Sequence, residues 1–184
     1  MTPRPTHILR HEHRVIEQVL RALDGMCLRL KAGDEVPAEA LSQALEFIQT
    51  YADGHHHRRE EEYFFPALKE CGFEEGGALR FLQEEHALER KLLADLEFAV
   101  EQYRYGDANA VNRFVEITDR FSQHLIGHMQ KEDSLLFRMA EDLLDDDAKN
   151  ELMQNLARSN ADSREAWNHR YEQIAAELEN VWTI

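Results

Sequence analysis

One ten-residue pattern occurs twice in the chain. His56-His57-Arg58-Arg59-Glu60-Glu61-Glu62-Tyr63-Phe64-Phe65 recurs as His128-Met129-Gln130-Lys131-Glu132-Asp133-Ser134-Leu135-Leu136-Phe137. Each copy has a histidine, a carboxylate four residues later (Glu60, Glu132) and an aromatic five residues after that (Phe65, Phe137). On an α-helix, residues four apart lie on one face, one turn apart. Each copy therefore offers an imidazole and a carboxylate to one point in space. Two such helices facing each other would enclose a metal cage inside a bundle. This repeat restricts the fold more than any other feature, because both copies must lie on helices and both must face inward.

The flanking sequence supplies those helices. Helix breakers are scarce, with 8 Gly and 4 Pro in 184 residues, and the abundance of Leu, Ala, Glu and Arg favours helix. Helix 1 is expected from Thr6 to Lys31, with the seam Leu9, His13, Ile16, Leu20, Leu23, Cys27 and Leu30. Its steps alternate four and three, the spacing of a helix packed along its length. Helix 2 is expected from Ala38 to Cys71, with Leu41, Leu45, Ile48, Ala52, His56, Glu60, Tyr63/Phe64 and Ala67 inward and Pro66 kinking its last turns. Helix 3 runs from Gly77 to Tyr105 on Leu79, Leu82, His86, Glu89, Leu93, Leu96, Val100 and Tyr103. Helix 4 runs from Ala108 to Asp142 on Phe114, Thr118, Phe121, Leu125, His128, Glu132, Leu135 and Met139. A fifth helix, from the acidic run Asp145-Asp146-Asp147 to Asn180, carries the stripe Leu152, Leu156, Trp167, Tyr171, Ile174 and Leu178. The fold class expected is all-α: an up-down-up-down four-helix bundle over residues 1–142, and a C-terminal helix over 143–184 packed on the bundle or on a second subunit.

Short loops make consecutive helices antiparallel, which permits a test of depth. At about 1.5 Å per residue, His13, Glu60, His86 and Glu132 all lie roughly 10 to 17 Å from one end of the bundle. The spacing also repeats, with 43 residues from His13 to His56 and 42 from His86 to His128. The chain reads as two helical hairpins of one design.

Buried imidazoles and carboxylates are costly unless partnered. The candidate metal ligands are His13, His56, Glu60, His86, His128 and Glu132. Nitrogen and oxygen donors without thiolate suit iron or manganese, with zinc or copper as alternatives, and two carboxylates with four imidazoles suit two metals with open positions. The net charge of −15 argues against nucleic acid or an anionic membrane as partner. No apolar run approaches membrane-spanning length and the N-terminus shows no secretory signal, so a cytoplasmic location is expected. Cys27 and Cys71 match no zinc or redox spacing and are expected to be buried as small apolar residues.

The sequence resembles the hemerythrin-like (HHE cation-binding) family of helical bundles. The residues that carry the resemblance are Glu12-His13-Arg14-Val15-Ile16-Glu17, His56 with Glu60 leading into Phe65-Pro66, Glu85-His86, and His128 with Glu132 leading into Phe137, over residues 6–142. It implies a non-haem di-iron centre with carboxylate and oxo or hydroxo bridges, and roles in oxygen binding or sensing, iron handling, or responses to nitric oxide or peroxide. Oxygen carriers of the family place a second histidine one turn after the first on the third helix, where this chain has Glu89 and Arg90. They also place an Asp at His+5 on the fourth helix, where this chain has Glu132 at His+4. Reversible oxygen carriage is therefore not expected.

Secondary candidates surround this set. His57 is an additional donor, with His57–Glu61 as the alternative register to His56–Glu60. His124, Glu17 and Glu89 are candidates to orient a ligand or add a carboxylate, and His7, His11 and His169 are read as surface residues. Three functions are consistent with these residues: a metal protein that binds or senses a diatomic molecule or peroxide, or that handles iron; an enzyme reducing peroxide or nitric oxide or donating iron for cluster repair; and a structural or adaptor bundle whose C-terminal helix docks a partner, the metal serving only as a staple. Under any of them, the C-terminal helix is also a candidate surface for a homo-oligomer.

Overall fold

The computed structural model describes residues 4–73, 77–158 and 164–183. Six helices account for the fold, and there is no strand among the described residues. α1 is Pro5–Ala32, α2 covers 38–70, α3 is Ala78–Arg104, α4 covers 110–143, α5 is Asp146–Arg158 and α6 is Arg164–Trp182. Gly33 ends α1 at φ 86°, a left-handed cap that glycine adopts without a Cβ penalty. The fifth helix read from the sequence corresponds to α5 and α6. Its continuity across 159–163 lies outside the described residues.

α1 to α4 form the bundle, and their inward seams match the expected ones over most of their length. Leu9, His13, Ile16, Leu20, Leu23, Cys27 and Leu30 of α1 are all buried. α1 also buries a second stripe, including Val15, Val19, Ala22 and Met26, because α6 covers that side. α6 runs parallel to α1. His11 pairs with Glu172 at 2.7 Å, Arg21 with Glu179 at 2.7 Å, and the Arg29 guanidinium lies over the Trp182 ring. The two backbones touch at Gly25, where a Cβ would lie 1.8 Å from the Trp182 carbonyl oxygen.

The helices carrying the repeated motif are not uniform. α2 is α-helical over Ala38–Phe47, widens into π-helical turns over Ile48–His57 and Glu60–Phe64, and returns to α over Phe65–Glu70. α4 is α-helical over Ala110–Lys131, widens over Glu132–Leu136, and returns over Phe137–Leu143. In both copies the wide turn starts at the carboxylate. The Phe65 N–H donates to the Glu60 carbonyl, and the Phe137 N–H to the Glu132 carbonyl. Pro66 removes a donor and crowds the Glu62 carbonyl, which favours widening in α2. α4 has no proline there and widens all the same.

Each widened turn holds an extra residue, so the seam beyond it slips by one. Leu135 is 58% exposed and Met139 is 40% exposed, against the expectation that both face inward, and Leu136 and Ala140 are buried instead. In α2, Tyr63 and Ala67 are half-buried while Phe64, Phe65 and Leu68 are buried. A strict four-three periodicity cannot anticipate this slip, because it assumes an unbroken i→i+4 ladder.

Two apolar clusters fill the molecule. One holds Ile16, Leu20, Leu23, Ile48, Ala52, Leu93, Phe121 and Leu125 among others. The other holds Leu9, Phe64, Phe65, Leu82, Leu136, Phe137, Leu152 and Leu156 among others. Along every bundle helix the polar intruders fall between these clusters. Cys27 is buried in the first, and Cys71 is half-exposed, not buried as expected. Among the described residues no helix is long and apolar enough to cross a membrane.

Candidate metal centre

His13, His56, Glu60, His86, His128 and Glu132 meet in the layer between the two apolar clusters, and each is at most 1% exposed. They form two groups of four. His13, His56, Glu60 and Glu132 place one donor atom each within 4.8 Å of one another, and so do Glu60, His86, His128 and Glu132. The two carboxylates belong to both groups. His13 Nε2 lies 3.3 Å from Glu132 Oε2, and His56 Nε2 lies 3.6 Å from Glu60 Oε1. On the other side His86 Nε2 lies 3.5 Å from Glu60 Oε2, and His128 Nε2 lies 3.4 Å from Glu132 Oε2. The hairpin repeat read from the sequence is thus an approximate two-fold arrangement about Glu60 and Glu132.

Each imidazole is pinned from behind by an acid on the preceding helix of the ring. His56 Nδ1–H donates to Glu12 at 2.9 Å, His86 Nδ1–H to Glu61 at 2.7 Å, His128 Nδ1–H to Glu85 at 3.0 Å, and His13 Nδ1–H to Asp133 at 3.1 Å. Every acid also holds a base on the same helix as its histidine. Glu12 takes Arg59, Glu61 takes Arg90, Glu85 takes Lys131 and Asp133 takes Arg10. Glu12 accepts from His55 Nε2 as well, at 3.2 Å. The sequence reading missed this ring. Its signal was visible as a base three or four residues from each core histidine, and as an acid next to His13, His86, Glu60 and Glu132.

Pinning Nδ1 as a donor leaves each Nε2 lone pair aimed at the centre. There His13 Nε2 stands 2.9 Å from His56 Nε2, and His86 Nε2 stands 3.0 Å from His128 Nε2. Two facing lone pairs at that distance repel unless a cation sits with them. The pKa directions show protons in that role. Burial works against charge on His13, but the hydrogen bond to Asp133 and the negative charges of Glu132 and Asp133 outweigh it and raise its pKa. Burial lowers its partner His56 to about 4. In the second pair, burial is again outweighed by Glu132 and Glu89 and His128 is raised to about 9, while burial lowers His86. Burial and the charge of Glu132 together push Glu60 well above the ordinary carboxylate range.

The aromatic of each motif copy packs on a ligand-candidate ring of the next helix. Phe137 stacks on His13 with centroids 5.4 Å apart, and Phe65 on His86 at 6.0 Å. Both oxygens of Glu60 and of Glu132 lack a hydrogen-bond partner. Fully buried carboxylates that accept nothing are a strong departure from normal polar satisfaction.

The secondary candidates separate. Glu17 is half-exposed beside Arg21 and does not reach the centre. His55 is buried against Trp167 and Glu12, and His7, His11 and His169 are exposed. His57 and Glu89 are buried next to the centre, with Nε2 3.4 Å from Oε2. His124 lies at their edge, 3.6 Å from Glu89.

Comparison with known proteins adds one finding. The family model described as the hemerythrin HHE cation binding domain matches residues 4–140. Neither the curated proteins nor the solved structures compared with the chain gave a match.

Proposed function

The chain belongs to the hemerythrin HHE cation-binding family, and from that premise we propose that its centre holds two iron ions and uses them to bind or sense a small molecule. The metal-binding part of this reading follows from the family and from the His/Glu groups. Two ions, and iron in particular, are supported by the donor set. Two four-residue groups share Glu60 and Glu132, so those carboxylates would serve both ions, with His13 and His56 on one and His86 and His128 on the other. Mixed imidazole and carboxylate donors without thiolate suit iron, with manganese or zinc as the alternatives.

The observation that carries the proposal is the set of unpartnered oxygens on Glu60 and Glu132 opposite four inward-facing imidazole nitrogens. A pair of cations satisfies all of these groups at once. When bound, iron would supply coordination positions for oxygen, nitric oxide or peroxide and a change of oxidation state. The chain's own contribution is to fix the donors. The acids Glu12, Glu61, Glu85 and Asp133 hold the four rings in one tautomer, and such supporting contacts typically change metal affinity by about 10- to 100-fold. Phe65 and Phe137 hold ring orientation and keep water out.

The test is the metal content per chain of the untagged protein by elemental mass spectrometry, alongside His56→Ala/His128→Ala. About two irons per chain, lost in the variant, is the expected result. Absorption changes on adding oxygen, nitric oxide or peroxide would then identify the ligand, and product accumulating over many cycles would mark an enzyme instead of a binder. No metal in the wild type after anaerobic reconstitution with ferrous iron overturns the proposal.

A further inference from the structure

The two-fold that relates the halves of the centre also relates two outer faces of the bundle. Matching His13 with His86 and His56 with His128 pairs Ile8 of α1 with Phe81 of α3. It also pairs Tyr63, Ala67 and Cys71 of α2 with Leu135, Met139 and Leu143 of α4. Both α2 and α4 widen at the carboxylate of the motif, so the pairing keeps its register beyond that point.

One face is covered and the other is bare. On the first, α5 lays Leu152 and Leu156 into the cluster that holds Leu9 and Phe64, and both leucines are fully buried. Ile8, Tyr63, Ala67 and Cys71 are half-buried beside them. Arg59 closes the contact by donating to the Leu156 carbonyl in the last turn of α5. On the second face Phe81 is 52%, Leu135 58%, Met139 40% and Leu143 38% exposed, and no described element lies over them. A groove of about 670 Å³ opens there between Phe73, Ala78, Met139 and Leu143. Lys131, the counterpart of Arg59, is exposed beside it, with its ammonium 5.0 Å from the centroid of the Phe81 ring. A contiguous apolar strip of this kind marks an interaction site.

We infer that this face of α3 and α4 docks an amphipathic helix of a protein partner, in the pose that α5 takes on the matching face of α1 and α2. The partner helix presents two large aliphatic side chains one turn apart, as Leu152 and Leu156 do, and its last carbonyls end at Lys131. Charge sets its flanks. The exposed charges around the face are Arg80, Lys131 and Arg138 against Glu84 and Asp142, an excess of one positive charge on a chain of net −15. An acidic helix therefore fits, and α5 itself starts within the run Asp145-Asp146-Asp147. A second copy of the chain is the poorer occupant, because its own α5 is already buried and two chains of this charge repel. The inference does not depend on what the centre holds.

The probe is a hydrocarbon-stapled, fluorescein-labelled peptide with the sequence of residues 145–158, titrated with the full-length chain and followed by fluorescence polarisation. The expected result is saturable binding with a Kd of about 100 µM or tighter. Leu135→Asp and Met139→Asp in the chain should each weaken it by at least about tenfold, and so should Leu152→Asp/Leu156→Asp made in the peptide alone. Leu28→Asp, at an exposed leucine of α1, should bind like the wild type. The face variants change exposed side chains, and circular dichroism checks that they fold; should Leu135→Asp fail to fold, Leu135→Gln replaces it. No saturation up to about 1 mM chain overturns the inference. Binding that ignores both face variants overturns it as well, since the peptide would then sit elsewhere. Sedimentation velocity supplies the last outcome, with a monomer expected. A wild-type dimer that Leu135→Asp dissociates would give the face to a second copy and overturn the partner helix.

Discussion

Replacing Glu12 by Gln tests the ring of acids that frames the centre. Glu12 is 3% exposed and receives three donors: His55 Nε2, His56 Nδ1 and the Arg59 guanidinium. Burial works to raise its pKa, but the hydrogen bonds from His55 and His56 and the nearby positive charges depress it far below the ordinary range. It is therefore a carboxylate at any working pH. A glutamine of the same shape offers one acceptor oxygen and an NH2 group. In either orientation the NH2 faces a donor, and Arg59, itself 2% exposed, loses its ion pair with Glu12. Breaking a buried pair in this way costs about 3–5 kcal/mol.

For a chain of this size each kcal/mol shifts the melting temperature by about 2–4 °C, so Glu12→Gln should lower it by roughly 6–20 °C. The effect should reach the C-terminal segment, because Arg59 also donates to the Leu156 carbonyl at 2.7 Å. It should also reach the metal, since His56 loses the acceptor that fixes its tautomer, with affinity falling about 10- to 100-fold. Thermal unfolding followed by far-UV circular dichroism, then a ferrous iron titration at a permissive temperature, measures both. Glu17→Gln, at a half-exposed position one turn beyond the core histidine of α1, is the control and should fall within about 0.5 kcal/mol of wild type. A Glu12→Gln protein that melts within about 2 °C of wild type and binds iron as tightly would refute the claim that Glu12 orients His56.

Two further outcomes are expected. Leu135→Asp should leave the melting temperature nearly unchanged and Leu136→Asp should cost about 3 kcal/mol or more, because the widened turn exposes the first side chain and buries the second; equal losses would mean that the helix keeps α-helical register there. Metal binding should release protons at neutral pH, read by calorimetry in buffers of different ionisation enthalpy. His128, raised to about 9 by Glu132 and Glu89 against the opposing effect of burial, must lose its proton to ligate, so affinity should climb about tenfold per pH unit for each proton displaced. The sign is opposite for the metal-free fold. A histidine pKa raised above 6.5 contributes stability fully below that pH, and the contribution is lost as pH rises through about 9. A pH-independent affinity between 6 and 8 is incompatible with a protonated His128 in the metal-free chain.

The bundle was legible because apolar residues recur at helical spacing on four long segments, and because His13, Glu60, His86 and Glu132 fall at one depth. What periodicity hid has two physical causes. The first is local. A π-helical turn inserts one residue without a sequence marker in α4, so Leu135 and Met139 are read inward and Leu136 and Ala140 are overlooked. The second is that seam analysis asks which face of a helix is buried, and the acids of the ring sit beside the seam. Glu12, Glu61, Glu85 and Asp133 belong to no apolar stripe, and their partners lie on another helix. Glu17 and Glu89 were considered because they lie one turn from a histidine on the same helix. Glu17 turned out to face Arg21, and Glu89 faces His57 across an interface.

The geometry of the ring joins folding to the site. Each acid grips a histidine and a base on the next helix, so α1 holds α2, α2 holds α3, α3 holds α4 and α4 holds α1. No single hairpin can complete this set, because His86 depends on Glu61 of the first hairpin and His13 depends on Asp133 of the second. The inward lone pairs and the bare oxygens of Glu60 and Glu132 therefore converge only when all four helices have closed. Closure in the absence of metal is opposed by the burial of those groups, relieved in part by the protons on His13, His128 and Glu60. A cation pair that replaces those protons binds the folded chain and not the unfolded one, so its binding free energy is added to folding. The hydrophobic seams choose the bundle, and the ring makes its closure depend on what occupies the centre.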